Sequence, residues 1–256
     1  MMGVVSFALR TAICKTLRGN TIAGPHVYDS PVEPLDMVAG PNATGTPGIA
    51  VFVSEMKKNS VQGRDVAGAP AEAEVTIQIY APAEFDMSML AADGSPIEVR
   101  VGGEGIAVAL DFAERQIERV FAMSDTAWGK LFRRLITSYA NVHSMRILVR
   151  VGDAQNGVNI PMAELTYTCK TIIEPAYGSE MDALWQQIYD ALAADEAYEG
   201  IAEMLKALIE APEGVADWRL LQGLLGATYG EIVNVASGDP GGTVEPLNVI
   251  TIKAQP

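Results

Sequence analysis

The hydrophobic pattern of this chain changes its period close to residue 175. Before that point, segments with alternating apolar residues are interspersed with segments of helical spacing, whereas helical spacing dominates beyond Glu174-Pro175. A period of two indicates strands and a period near 3.6 indicates helices. The pattern therefore predicts an α+β fold over residues 1–175, followed by an acidic, mainly helical extension over residues 176–256 that ends in a strand.

Several elements are predicted in the first part of the chain. Apolar residues at helical spacing indicate an amphipathic helix over about residues 3–18, which Gly19-Asn20 then stops. Residues 24–48 are rich in proline and glycine, which predicts an extended, loop-like run. The remaining predictions are strands at 49–53, 75–80, 145–151 and 165–173, and helices at 106–121 and 128–136.

Two long polar segments connect neighbouring predicted strands along the chain. Residues 56–71 are polar and contain glycine, and residues 152–160 begin with the hairpin-like run Gly152–Gly157. We expect both connections to be loops on the surface that can bind a partner.

Local pairs are predicted at the helix ends and faces. Asp125 is a candidate cap of the helix that follows it, and Asp111 and Arg115 are expected to pair four residues apart. Ser179, with Asp182 three residues later, is typical of a capping box that opens a helix.

The extension is predicted to hold three helices and a final strand around 249–252. Each helix has one apolar stripe, and Gly238–Gly242 forms a turn before the strand. The stripes are Met181, Leu184, Trp185, Ile188, Tyr189 and Leu192, then Ile201, Met204, Leu205, Leu208 and Ile209, then Trp218, Leu221, Leu224 and Leu225.

The net charge of the chain is 18 − 32 = −14. Residues 176–256 contribute 3 − 13 = −10 and residues 1–175 contribute 15 − 19 = −4. Proteins that grip nucleic acid through its phosphates normally have the opposite sign, so this function is not expected here. The acidic third is either a solvated surface or a functional face, which is aimed at a basic partner or keeps passing DNA from binding.

The sequence predicts no catalytic, cofactor-binding or metal-ligating residues. Cys14 and Cys169 are far apart among apolar neighbours, so we expect buried free thiols. His26 and His143 belong to no metal-ligand spacing, and no GxSxG nucleophile motif is present. No apolar run approaches a membrane span or a signal peptide, which favours a protein made and kept in a reducing cytoplasm.

Other motifs have a structural interpretation beside a functional one. The glycine cluster Val101–Ile106 lacks the third glycine of a dinucleotide fingerprint, and Gly238–Gly242 lacks the Lys-Ser/Thr of a phosphate loop. Trp185 and Trp218 are expected in the core. Lys130, Arg133 and Arg134 form either a solvated helix face or an interface with an acidic neighbour, including a second copy of this chain.

Three segments resemble the tail terminator proteins of long-tailed bacteriophages. They are the opening helix FALRTAICKTLRG with the extended segment Val27–Pro31, the strand from Pro47 to Val53, and the run from Ile160 to Gly178. The resemblance covers roughly residues 1–178, and the extension departs from it.

The resemblance implies a mixed β-sheet flanked by helices and a ring of six copies, a hexamer. Such a ring caps the tail tube, stops its growth and offers its other face to a head-completion or neck protein. It would reside in the virion tail or neck, let DNA pass without specific binding, and have no catalytic residues or cofactor. Two alternatives stay open, another neck or minor tail structural protein, and a small α/β enzyme with a deep polar pocket.

Overall fold

A computed structural model describes residues 3–31, 45–58, 70–90, 95–151, 158–175 and 178–210. Within these residues the chain forms five helices and seven strands. In chain order they are α1 Val4–Leu17, β1 Val27–Asp29, β2 Gly48–Lys58, β3 Ala71–Tyr80, β4 Glu84–Leu90, β5 Pro96–Gly102, α2 Gly105–Met123, α3 Ala127–Leu135, β6 Ile136–Val151, β7 Val158–Thr171, α4 Ala183–Ala193 and α5 Glu199–Ile209.

Five of the strands form one sheet in the order β1-β2-β3-β7-β6. The pair β1–β2 is parallel and the other three pairs are antiparallel, so the sheet is mixed. Strands β4 and β5 form a separate antiparallel hairpin. This architecture confirms the predicted α+β class.

One face of the sheet packs with the helices in a continuous hydrophobic core. In β3, Val75, Ile77 and Ile79 are buried while Thr76 and Gln78 are half-buried, as their alternation predicts. The core also includes buried side chains of α4 and α5, among them Trp185, which confirms its predicted place in the core. The helices after residue 178 therefore share their core with the sheet.

Helix α1 is anchored at its first turn by a residue from the other end of the domain. The Glu174 carboxylate accepts hydrogen bonds from the backbone N–H groups of Val4 (3.0 Å) and Val5 (3.3 Å). It stands in for the missing side-chain cap at Gly3. A Cβ at Gly3 would meet the Glu174 carboxylate, so a larger residue there would displace this cap.

The same helix is tied to the turn between α4 and α5. The Lys15 ammonium forms a salt bridge with Asp195 and lies 4.3 Å from the centre of the Tyr198 ring. The Lys15–Asp195 hydrogen bond lowers the pKa of the Asp195 carboxyl. Arg10 of α1 pairs with Asp29 of β1 on the same side.

Three predicted local interactions are wrong. Thr126, not Asp125, caps α3, because its Oγ1 accepts a hydrogen bond from Gly129 N at 3.0 Å. Asp182 is the cap of α4, accepting from Leu184 N and Trp185 N, so the helix begins three residues after the position expected from Ser179.

The expected pair Asp111–Arg115 also has different partners. Arg115 binds Glu118 at 2.9 Å, and Asp111 binds Arg146 of β6 at 2.6 Å. A strand packed beside the helix supplies a cation that sequence spacing along α2 does not reveal.

The strands run further than predicted. β6 begins at Ile136, assigned by its spacing to the preceding helix, and includes 136–144, which were not expected to be a strand. β7 begins at Val158 and β2 extends to Lys58, so the ends of the predicted loops 56–71 and 152–160 belong to strands. Pairing with a long neighbour supplies backbone hydrogen bonds where the side-chain alternation is weak.

The apolar stripe of α5 is only partly buried. Leu205 and Ile209 are in the core with Ala202, but Met204 and Leu208 are 65% and 57% exposed. Among the described helices, none is long and apolar enough to cross a membrane. The predicted third helix around Trp218, the Gly238–Gly242 turn and the strand 249–252 lie outside the described residues.

Candidate interaction surfaces

Strand β6 is a long edge strand of the five-stranded sheet. This 16-residue strand pairs with β7, and in the described part of the chain no strand pairs with its other side. All residues from 137 to 146 are exposed. The exposed large apolar side chains are Tyr139, Val142, Met145 and Leu148.

This edge has part of the usual protection against pairing with another chain. Natural edge strands are shortened, carry lysine, proline or inward charges, or contain β-bulges that prevent association. The register of β6 against β7 shifts between Ile136 and Ser138 and between Asn141 and His143, so β6 contains irregularities of this kind. It contains no lysine, proline, aspartate or glutamate, and its only charged residues are Arg146 and Arg150.

The edge strand contacts α2 through polar side chains. Arg146 binds Asp111 at 2.6 Å and Glu114 at 2.9 Å, and Ser144 Oγ donates to Glu114 at 3.3 Å. The Asp111 side chain is 72% exposed, so solvent screens its pair with Arg146.

An aromatic cluster connects β6 to the core. The Phe121 ring lies 4.7 Å from the Phe132 ring, 5.5 Å from Tyr167 and 5.9 Å from Tyr139, measured between centroids. Burial raises the pKa of both Tyr139 and Tyr167. Both phenols stay protonated at neutral pH, so neither is a base or a nucleophile there.

A cavity of about 980 Å³ lies beside this cluster. It is lined by α2, by the turn after α1 and by β6, including Ile22, Phe112, Arg119, Met123 and Tyr139. Its charged lining residues are Arg115, Glu118 and Arg119, of which Arg115 and Glu118 pair at 2.9 Å. Among the described residues that line it, Glu118 is the one carboxylate, and none is a histidine or a cysteine.

The β4–β5 hairpin presents a second exposed apolar surface. Phe85, Met87 and Val101 bury its base in the core, but Ile97 and Val99 further along the same face are 40% and 44% exposed. On the opposite face Arg100 pairs with Glu84 at 2.9 Å. The hairpin is a two-stranded sheet whose apolar face is only half covered.

The sheet face away from the core is polar and acidic at its centre. Gln78 Nε2 donates to Glu164 Oε2 at 2.8 Å, and the Tyr80 hydroxyl donates to the Gln78 oxygen. Burial, with the nearby Glu164 charge, raises the pKa of Tyr80 to about 12. Tyr80 also belongs to a small apolar cluster with Ala50, Ile160 and Met162 at one end of this face.

The cysteines and histidines singled out by sequence do not form a site. Cys14 and Cys169 are buried and free, as predicted, and burial raises the pKa of each thiol to about 12. His26 Nδ1 lies 3.0 Å from the Tyr28 hydroxyl, and His143 is exposed on β6. In the described ranges no cluster of three or more His, Cys, Asp or Glu residues is placed to hold a metal ion.

The glycine cluster and the basic helix face have structural contacts. Gly103 adopts a φ of +57° in the turn between β5 and α2, a conformation that favours glycine. On α3, Arg133 binds the Ser124 carbonyl at 2.6 Å and Arg134 binds the Gln187 side chain of α4, while Lys130 is exposed. Two of the three basic side chains therefore bind within the chain.

Comparison of the sequence with known protein-family models and with curated proteins finds no match. In the sequence, Ile97, Val99 and Val101 alternate with Glu98 and Arg100, which is a signal for a strand but not for the exposure of its apolar face. The sequence did not signal β6 as an edge, because strand order is a tertiary property.

Proposed function

We propose that this chain is a structural subunit that closes into a ring of six copies on the end of a phage tail tube. The observation that carries the proposal is the row of exposed apolar side chains on the 16-residue edge strand β6, because an exposed apolar surface of this kind is typical of a contact with another chain.

The order of the elements supports the choice of the tail terminator class. Helix α1, the short strand β1 and strand β2 follow one another as the resemblance over residues 1–53 implies, and β7 falls in the closing run. The mixed sheet with helices packed on it agrees with the fold expected of that class.

The charge of the chain suits a channel through which DNA passes. A net charge of −14 disfavours binding of phosphates, so a ring of such subunits would not retain passing DNA. The remaining surfaces would contact the tail tube on one side and a head-completion or neck protein on the other.

The test is inactivation of the gene in a phage that carries it, followed by electron microscopy of the tails. We expect tubes of irregular, extended length and tails without heads, with normal tails restored when the protein is supplied. Rings of the purified protein should be visible in the same microscope. Normal tail length without the protein would reject the proposal, and a ring found only between neck proteins would favour the other neck class.

The same preparation tests the enzyme alternative. Small molecules bound in the cavity beside Tyr139 can be sought by mass spectrometry of the purified protein. A monomer that turns over a bound metabolite would replace the structural function with a catalytic one.

A further inference from the structure

The cavity beside the aromatic cluster has apolar walls and is large enough for a small molecule. Its volume of about 980 Å³ lies at the upper end of the range of about 300–1,000 Å³ that ligand pockets occupy. The turn after α1 contributes Ile22 to its walls, α2 contributes Phe112 and Met123, and β6 contributes Tyr139. Aromatic rings and a thioether pack well against a flat apolar ligand. The size and the walls of this cavity therefore suit an aromatic molecule.

Tyr167 lines the same cavity and has a hydroxyl group without a hydrogen-bond partner. Its residue is only 1% exposed, and among the described residues none accepts a hydrogen bond from its Oη. Buried polar groups are hydrogen-bonded in the great majority of cases, because burial without a partner is unfavourable. Burial also raises the pKa of this phenol, so it is protonated at neutral pH and can donate to an acceptor that a ligand brings.

Arg119 supplies an unpaired positive charge to the same cavity. It is exposed on α2, and its guanidinium forms no hydrogen bond or salt bridge within the described ranges. By contrast, Arg115 is paired with Glu118, the one carboxylate among the described lining residues. The charged side chains of the lining sum to 2 − 1 = +1, and the unpaired one is a cation. The cavity therefore offers two unused donors to a ligand that carries acceptors and a negative charge.

We propose that this cavity binds a small aromatic carboxylate, whose charged group pairs with Arg119 and accepts a hydrogen bond from Tyr167 while its ring packs against Phe112 and Tyr139. The planar fork of an arginine matches the two oxygens of a carboxylate. A single unpaired arginine suits a monoanion, since the second charge of a phosphate would meet no further unpaired cation among the described lining residues. The proposal is of binding alone, goes beyond the proposed ring and does not depend on it.

Two related probes and three variants test the site in the full-length protein. Naphthalene-2-carboxylate is the probe, 2-naphthalenemethanol is its neutral counterpart, and isothermal titration calorimetry measures the affinity of each. Arg119→Gln removes the cation, and Tyr167→Phe removes only the hydroxyl group. Lys170→Gln is the matched control, because Lys170 is exposed on β7 away from the described lining and its substitution removes the same charge. Thermal unfolding without a probe verifies that each variant is folded.

We expect the wild type and Lys170→Gln to bind the carboxylate at least about tenfold more tightly than the alcohol, because charge-assisted hydrogen bonds are the stronger ones. Arg119→Gln should lose this preference and bind the two probes about equally. Tyr167→Phe should weaken binding of the carboxylate about tenfold. Without a probe it should unfold at the same temperature as the wild type or a higher one, because it removes a buried hydroxyl that lacks a partner.

Other results would overturn the inference. If the wild type does not bind naphthalene-2-carboxylate at millimolar concentration, or binds the alcohol equally well, the cavity is not a carboxylate site. If Arg119→Gln keeps the preference for the carboxylate, the charged group lies elsewhere. If Tyr167→Phe unfolds at a lower temperature and binds the carboxylate like the wild type, its hydroxyl is already bonded in the free protein. None of these results affects tail length, so the proposed ring is tested separately.

Discussion

Lys15 is the side chain that joins the first helix to the segment after residue 178. Its ammonium contacts both the Asp195 carboxylate and the Tyr198 ring, so one residue makes an ion pair and a cation–π contact. The Asp195 side chain is 37% exposed, so solvent screens the pair. We expect its contribution to be measurable but below about 1 kcal/mol.

The pH dependence of stability tests this pair. Because the pKa of Asp195 is lowered from its ordinary value of 3.8, its contribution is present above that value and is lost as the pH falls through the lowered pKa. Asp195→Asn should therefore reduce the free energy of unfolding at about pH 6 and reduce it by less at about pH 3. Urea unfolding of both proteins at the two pH values measures the difference, and an equal loss at both values would contradict the ion pair.

The aromatic cluster around Phe121 and Phe132 is expected to contribute strongly to the stability of the fold. Phe132 is fully buried against Phe121, and Phe132→Ala should lower the free energy of unfolding by about 3–5 kcal/mol. Phe112→Ala is the control, because Phe112 is 42% exposed and its loss should cost less than about 1 kcal/mol. Chemical unfolding curves compare the two, and equal losses would argue against this core.

At the scale of elements, the short helix α3 depends on its first turn. It spans 9 residues between α2 and the edge strand, and its cap is the hydrogen bond from Gly129 N to Thr126 Oγ1. Gly129 is required there, since a Cβ would lie 2.6 Å from Ser124 Oγ and 2.9 Å from the Ser124 carbonyl oxygen.

The capping residue can be identified by two neighbouring substitutions. Thr126→Ala removes the acceptor and should cost about 0.5–2 kcal/mol of stability. Asp125→Ala removes the acid that sequence alone favoured and should change stability by no more than about 0.5 kcal/mol. Thermal unfolding of both variants distinguishes them, and the reverse order would restore Asp125 as the cap.

At the scale of the whole molecule, the sheet has two unlike ends. One end is the short strand β1, and the other is the 16-residue β6 with its open edge. The hairpin stands outside the sheet with a half-covered apolar face. A molecule with two different unfilled surfaces suits assembly with copies of itself.

The connection between β2 and β3 gives a prediction at this scale. Lys58 pairs with Ala71, and residues 59–69 between them lie outside the described residues. Replacing residues 59–70 with Asn-Gly, which suits a two-residue hairpin turn, should leave unfolding unchanged while tail capping fails, because we assign this polar connection to partner binding. Complementation of the gene-inactivated phage measures tail length, and normal tails together with infectivity would contradict that role.

The predictions from sequence are confirmed where the local hydrophobic pattern is enough to determine the structure. The alternation of Val75, Ile77 and Ile79 predicted a half-buried strand, and the helical spacing around Ile117 predicted α2. The buried thiols Cys14 and Cys169 also followed from their apolar neighbours. In each case, burial of one face is favoured whatever lies opposite, so no knowledge of the partner element is required.

The predictions from sequence are wrong where a contact joins two elements that are distant along the chain. Asp111 forms a salt bridge with Arg146 of β6 rather than with Arg115. Glu174, which follows β7 in the chain, accepts a hydrogen bond from the first turn of α1. Residues 136–144 became a strand through pairing with β7, although their alternation is weak.

The sequence by itself determined the acidic charge and the elements with a strong hydrophobic period, such as α1, α2 and β3, because these depend on neighbours along the chain. Only the tertiary structure decided that β6 is an edge, that Val99 and Val142 are exposed, and that α4 and α5 share the core of the sheet. The physical reason is that strand order and exposure are set by which surfaces pack together, and packing joins residues that the local pattern does not relate.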